Sequence, residues 1–334
     1  MSEHPTDPAP VPPIGFMPST RVLWRSSAQL QLELGPRSVV VEGVDVDELD
    51  ALRHGELSAD DIDWAGPLLR AGFLTSGPTH PPATLPSPTD TRLAPDAAAL
   101  AARFGDQADT VLAARGRRRV AVHGSGRLPT LFAALLAAAG VGGVHVAESG
   151  EVTLRDAVPG GLLVSDEGAR RTAAAAAAIA RAAPGTDTSA GGPQPADLVI
   201  LATGVPVPRA MTSGLAHAGQ PHLVVGVWAG SAVVGPLVVP GRSSCLQCAD
   251  LHRRDRDPAW PALAAQLGTF TDPQRAPSDV CIVTLAAALT AIQTLQYLDG
   301  ERPAAFEGTL EVELPDWRIR RRSWPVHPDC LCSV

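Results

Sequence analysis

The chain has 334 residues, a formal charge of −8 and 45% apolar residues. That length suggests two domains. The charge gives no global attraction to nucleic acid, and no apolar run reads as long and continuous enough to span a membrane. The sequence contains no lysine and no asparagine, so mechanisms that need either side chain are closed to it. No secretory signal opens it, so a cytoplasmic location with reduced thiols is expected.

Residues 1–18 are rich in proline and poor in large apolar groups, which predicts a disordered tail. Residues 19–76 read as a small globular module. Val22 to Trp24, Leu30 to Leu34 and Val39 to Val41 are three short strands, with Gly35-Pro36 as the turn between the last two. Asp45 to Arg53, Ser58 to Ile62 and Asp63 to Ala71 are expected helices, the second opened by a Ser58/Asp61 capping-box spacing. Three strands followed by three short helices suggest a winged-helix-like module. Its third helix carries one arginine and begins with an acid, whereas phosphate contacts need Lys or Arg. Peptide recognition is the better functional reading, and a plain structural appendage is the bland one. A partner strand would pair with Val39, Val40 and Val41, against a groove walled by Leu68 or Leu69, with Arg70 available to an acidic residue. Residues 77–95 form a Pro/Ser/Thr stretch expected to be an extended linker.

From residue 96 to 334 a larger α/β domain is expected. The strand Arg118 to His123 runs into Gly124-Ser125-Gly126-Arg127-Leu128-Pro129 and an apolar helix, Thr130 to Ala139. Gly124 and Gly126 permit a tight turn and close backbone approach to a phosphate. Pro129 replaces the third glycine of the usual pattern, and proline suits a first helical turn. Strands at Val144 to Ala147, Asp197 to Leu201 and His222 to Val227 complete a Rossmann-like order. Glu148, ending the second strand, is either a ribose contact or a solvated carboxylate. The arginine runs 115–119 and 318–322 are short and read as solvated faces or approaches to strands.

Four of the five cysteines form two tight pairs, Cys245-x-x-Cys248 and Cys330-x-Cys332. Together they supply four thiolates, enough for one closed tetrahedral Zn²⁺ site of structural type. Two disulfides are the competing reading, disfavoured in a reducing cytosol. Cys281 opens an apolar stretch and is expected to be a buried small hydrophobe.

Taken in order, strand–GSG–helix, GVGGVHVAESGEV, SDEGARR with its Ala-rich helix, ADLVILATG, HLVVGVWAGSAVVGPLVVPGRSSCLQC and a final HPDCLC resemble the ThiF/MoeB-type adenylating fold over roughly residues 96–334. With the small N-terminal module, the chain is similar to the leader-peptide-binding partner proteins of thiazole/oxazole-modified microcin pathways. The resemblance implies a leader peptide of a ribosomal precursor as ligand, a YcaO-type cyclodehydratase as partner, a homodimer in many relatives, and zinc on the cysteines. It also implies adenylation residues that this chain mostly lacks. Of two acids after the second strand only Glu148 remains, with Gly150 at the other place. The following Asn- and Arg-bearing loop is Asp156-Ala157-Val158-Pro159. The ATP-binding lysine falls near Arg171, which is not equivalent in a fitted site. The Mg²⁺-binding aspartate falls at Gly204, and residues 249–279 hold no cysteine. The expectation is a pseudo-enzyme scaffold with a vestigial nucleotide site (Gly124, Gly126, Glu148, Arg171) and ATP as an unlikely ligand. The alternative is an active ATP-dependent adenylyltransferase or a dinucleotide-dependent enzyme.

Overall fold

The computed structural model describes residues 11–17, 20–76, 88–190, 195–203, 207–228, 230–270 and 278–333. The chain divides into two units, one up to Ala113 and one from Ala114.

The first unit contains β1 (Ile14–Phe16), β2 (Arg21–Ser26), β3 (Gln29–Leu34), β4 (Arg37–Glu42), α1 (Val46–His54), α2 (Ala65–Arg70), β5 (Leu74–Ser76) and α3 (Pro88–Phe104). Strands β2, β3 and β4 form an antiparallel sheet in that order. Alternation drives β3. Leu30, Leu32 and Leu34 are buried, while Gln29, Gln31 and Glu33 lie on the other face. The leucines join Leu49 and Leu52 of α1 and Leu68 of α2 in one core.

Three expectations need correction here. Ile14–Phe16, inside the expected tail, pairs with β5, because Ile14 is an apolar anchor with no exposed surface. Ser58 to Ile62 is not a helix. The Asp61 carboxylate accepts from Ser58 N at 2.7 Å and Ser58 Oγ at 2.6 Å, closing a turn instead. These two bonds also hold the Asp61 carboxyl below its ordinary range. Residues 88–95 of the expected linker are the first turns of α3. Pro88 occupies the first turn, where its missing N–H is harmless, and the alanines from Ala97 onward favour helix enough to carry Pro95. The rest of that linker, 77–87, lies outside the described residues, as do residues 1–10, 18 and 19.

Helix α4 (Ala108–Arg115) reaches the second unit. That unit contains β6 (Arg119–Gly124), α5 (Arg127–Ala138), β7 (Gly143–Ala147), α6 (Arg171–Ala182), β8 (Leu198–Ala202), α7 (Arg209–His217), β9 (His222–Trp228), β10 (Ser231–Val238), α8 (Leu246–Arg256), α9 (Trp260–Phe270), α10 (Val280–Leu298), β11 (Gly308–Glu313) and β12 (Ile319–Ser323). One sheet runs β12-β11-β10-β9-β8-β6-β7. Strands β7, β6, β8 and β9 are parallel, and β10 to β12 add antiparallel strands. All five residues of β8 are buried, as a strand covered on both faces requires. The chain leaves β6 for β7 on one side and reaches β8 on the other. The switch point therefore lies at the carboxyl ends of β6 and β8, where open α/β sheets bind ligands.

Helix α10 corrects the expectation that no apolar run is long enough to cross a bilayer, since it qualifies by length and composition. It belongs to the core instead: Ile282, Val283, Ala286 and Ala287 pack with Phe132 and Leu136 of α5 and with Val225 of β9. The first arginine run is not a solvated face throughout. Arg115 is buried and donates to both oxygens of Asp299 at 2.7 and 2.6 Å.

Candidate nucleotide loop, metal centre and peptide edge

The glycines sit where the sequence spacing puts them. A Cβ on Gly124 would lie 2.4 Å from the Ala202 carbonyl oxygen, so only glycine lets β6 end this close to β8. Gly126 has φ +95° and is the N-cap of α5. The backbone therefore presents free N–H groups at a helix start, a geometry that suits an anion. One neighbouring side chain is committed elsewhere. Arg127 donates to the carbonyls of Arg155 (2.7 Å) and Ser278 (3.1 Å).

Glu148 and Arg171 are brought together, with a third partner that sequence reasoning missed. The Arg171 side chain is 1% exposed and its Nη2 donates to Asp156 Oδ2 at 2.7 Å. Its Nη1 lies 3.6 Å from Glu148 Oε2, and the Glu148 side chain has no exposed surface. Burial pushes the Glu148 carboxyl up to about 7, against the pull of Arg171, with Asp156 adding to the rise. Asp156 also accepts from the Thr153 N–H and hydroxyl, so its orientation is fixed by a capping box. The Thr153/Asp156 spacing was the available signal. In this arrangement the arginine is hydrogen-bonded to Asp156 alone, and both Glu148 carboxylate oxygens and Arg171 Nε and Nη1 are buried without a hydrogen-bond partner among the described residues. Gly204 lies outside the described residues.

The four cysteines converge. Their sulfurs all lie within 4.8 Å of one another, with Cys245–Cys330 at 3.5 Å, Cys248–Cys332 at 3.4 Å and Cys245–Cys248 at 3.9 Å. A tetrahedral Zn²⁺ with Zn–S of about 2.3 Å places its sulfurs about 3.8 Å apart, so the donor set fits this metal. Such a cage leaves no open coordination position. Cys245 caps α8 and Cys248 lies in its first turn, where the helix dipole favours thiolates. Burial, with the neighbouring cysteines adding to it, pushes the Cys330 thiol up to about 11 and Cys332 higher still. Residues around the cluster pin the final segment to α8. Trp324 is buried and donates to Thr309 Oγ1 at 3.0 Å, and Arg253 lies 4.6 Å from the centre of its indole. The His327 Nδ1 accepts from Asp329 N, so its proton is on Nε2, which donates to Asp255 at 2.7 Å. Cys281 is exposed, not buried, because it occupies the solvent side of the first turn of α10.

In the first unit, β4 is an outer strand. Gly35-Pro36 is a two-residue turn, so the closing pair Leu34/Arg37 is hydrogen-bonded and pairs alternate from there. The backbone groups of Ser38, Val40 and Glu42 then point away from β3. Val40 has 41% exposure, Val41 is buried and Val39 is half-buried. Leu68 is a core residue, Leu69 is half-buried against the core, and Arg70 is exposed. Arg37, at the start of β4, donates to the Ala71 carbonyl at the end of α2 (2.8 Å), so strand and helix end are neighbours.

No family model and no curated protein matches the sequence. Solved structures do. E. coli MccB with ATP superposes with a TM-score of 0.72 at 15% identity, covering 96% of this chain and 99% of that one. The fold is that of MccB. E. coli MccB with MccA-N7isoAsn gives 0.71 at 15% identity over the same shares. The selenomethionine form of PaaA gives 0.61 at 17% identity, covering 83% of this chain and 94% of PaaA. The MccB likeness bears out the ThiF/MoeB-type reading of the fold. It gives no support to the expectation that ATP is an unlikely ligand, since an MccB structure contains ATP.

Proposed function

We propose that this chain is a cytoplasmic leader-peptide-binding scaffold. Its small unit takes up the leader of a ribosomally made precursor, and its MccB-like unit presents the peptide to a YcaO-type cyclodehydratase without adenylating it. The observation that carries this reading is the outer strand β4. Three of its residues aim backbone donors and acceptors away from the sheet, with α2 beside it, the arrangement that strand addition uses. MccB structures with N-formylated MccA and with MccA-N7isoAsn support a peptide ligand for this fold. The Arg171–Asp156 pair supports catalytic degeneracy, because the arginine at the place of the family's lysine already has a partner within the chain. The four-cysteine centre holds structural Zn²⁺ in this reading. Val40→Pro tests it. That N–H faces outward, so proline there removes a donor to the incoming strand and leaves the β3–β4 ladder intact. Calorimetric titration with a candidate leader should show binding to the parent chain and none to the folded variant. Equal affinity for both rules out strand addition at β4.

A second reading, ATP-dependent adenylation, is favoured by one observation. The Thr203 hydroxyl, at the end of β8, is buried without a hydrogen-bond partner, beside an intact Gly124/Gly126 loop and in a fold that binds ATP in MccB. Pyrophosphate exchange separates the two readings.

A further inference from the structure

A cleft of about 580 Å³ opens in the second unit, lined among others by Arg118, Asp197, Arg242, Tyr297 and Arg302. Arg118 and Asp197 precede β6 and β8. The cleft is therefore at the amino ends of the parallel strands, and Gly124 and Thr203 are at their carboxyl ends. A strand of six residues separates these two edges by about 20 Å, so this is not the nucleotide loop.

The acids in the cleft are taken. Asp197 accepts from Arg118 Nη1 and from the Arg119 N–H, both at 2.8 Å. Glu307 accepts from Arg302 at 2.8 Å, and Glu301 also has a partner. The uncommitted groups are donors. Arg118 Nε is buried with no hydrogen-bond partner. The exposed Arg242 guanidinium has no hydrogen-bond or ion-pair partner among the described residues. The Tyr297 hydroxyl feels Arg242, Asp197 and Arg118, and burial pushes its pKa upward, so it stays a donor at neutral pH.

We propose that this cleft is a second ligand site, taking a small multivalent oxyanion, phosphate or carboxylate, on Arg242, Arg118 Nε and the Tyr297 hydroxyl. Paired guanidinium and hydroxyl donors match the lone pairs of either oxyanion. The volume exceeds that of a bare inorganic ion and falls in the range of small-molecule sites.

Tyr297 is the only tyrosine in the chain, so protein labelled with 3-fluorotyrosine gives one fluorine resonance, from inside the cleft. Pyrophosphate and citrate are titrated separately against sodium chloride at matched ionic strength. The expected result is a saturable shift at millimolar or lower concentration with at least one of them and none with chloride. A response to pyrophosphate alone assigns a phosphate ligand, and a response to citrate alone a carboxylate. Arg242→Gln, a change at an exposed position, should abolish saturation while the melting temperature is kept. A shift that chloride reproduces, no shift with either oxyanion, or an undiminished shift in Arg242→Gln overturns the proposal. None of these outcomes depends on leader binding.

Discussion

The cysteine centre and the Gly124/Gly126 loop share one domain and differ in completeness. The first has a full donor set. Two ligands are fixed on the start of α8, and two are held on a segment that Trp324 and His327 anchor. The second has the backbone of a phosphate site, but its nearby arginine is tied to Asp156, and Glu148 is buried without a hydrogen-bond partner. The loop geometry alone does not decide the chemistry, because Gly124 is required by its approach to Ala202 whether or not a nucleotide binds.

The largest effect that sharpens this comparison is metal loss. Protein purified without chelator should contain one zinc per chain by elemental analysis. Cys248→Ser should lower the melting temperature by roughly 10–20 °C, since metal binding is part of the folding free energy. Next comes Asp156→Ala, which leaves Arg171 buried with only the longer contact to Glu148. A destabilisation of about 3–5 kcal/mol is expected in urea unfolding.

Glu148→Gln acts in the opposite sense. The folded-state pKa is raised from 4.5 to about 7, so the native chain binds more protons than the unfolded one across that window. The contribution of Glu148 is then fully present below the ordinary value and lost as pH rises through about 7. The variant should lack this dependence and gain on the order of 3 kcal/mol relative to the parent between acid and neutral pH. Unfolding curves at several pH values check the sign; parallel pH profiles would contradict the buried, poorly paired carboxylate. The smallest expected effect on stability is that of Val40→Pro, whose N–H faces away from β3. Val39→Pro, one residue earlier, removes a ladder donor and should unfold the small unit. Circular dichroism melts of the pair test the register.

Local chemistry made much of this legible. The two Cys pairs, the glycine spacing and the alternation of β3 are short-range patterns with a direct physical meaning, and each lands where expected. What escaped depends on burial or on distant partners. Asp156 meets Arg171 across 15 residues of chain. Ile14 lies among prolines yet is an anchor because β5 pairs with its strand. The Ser58/Asp61 spacing announces side-chain closure in both a helix start and a turn, and it does not distinguish them. Cys281 reads as core from its apolar neighbours, although the helix turns that one position outward. The ring around the cysteines, Trp324 and the His327–Asp255 pair, had only the HP before CxC as a hint.

The measurement that bears most directly on the scaffold account is ATP–pyrophosphate exchange with Mg²⁺ and a precursor peptide that the chain binds. The account predicts bound peptide and no exchange above the enzyme-free rate, with no AMP formed. Peptide-dependent exchange or AMP release would show that the Gly124/Gly126 site still adenylates, and the chain would be an enzyme.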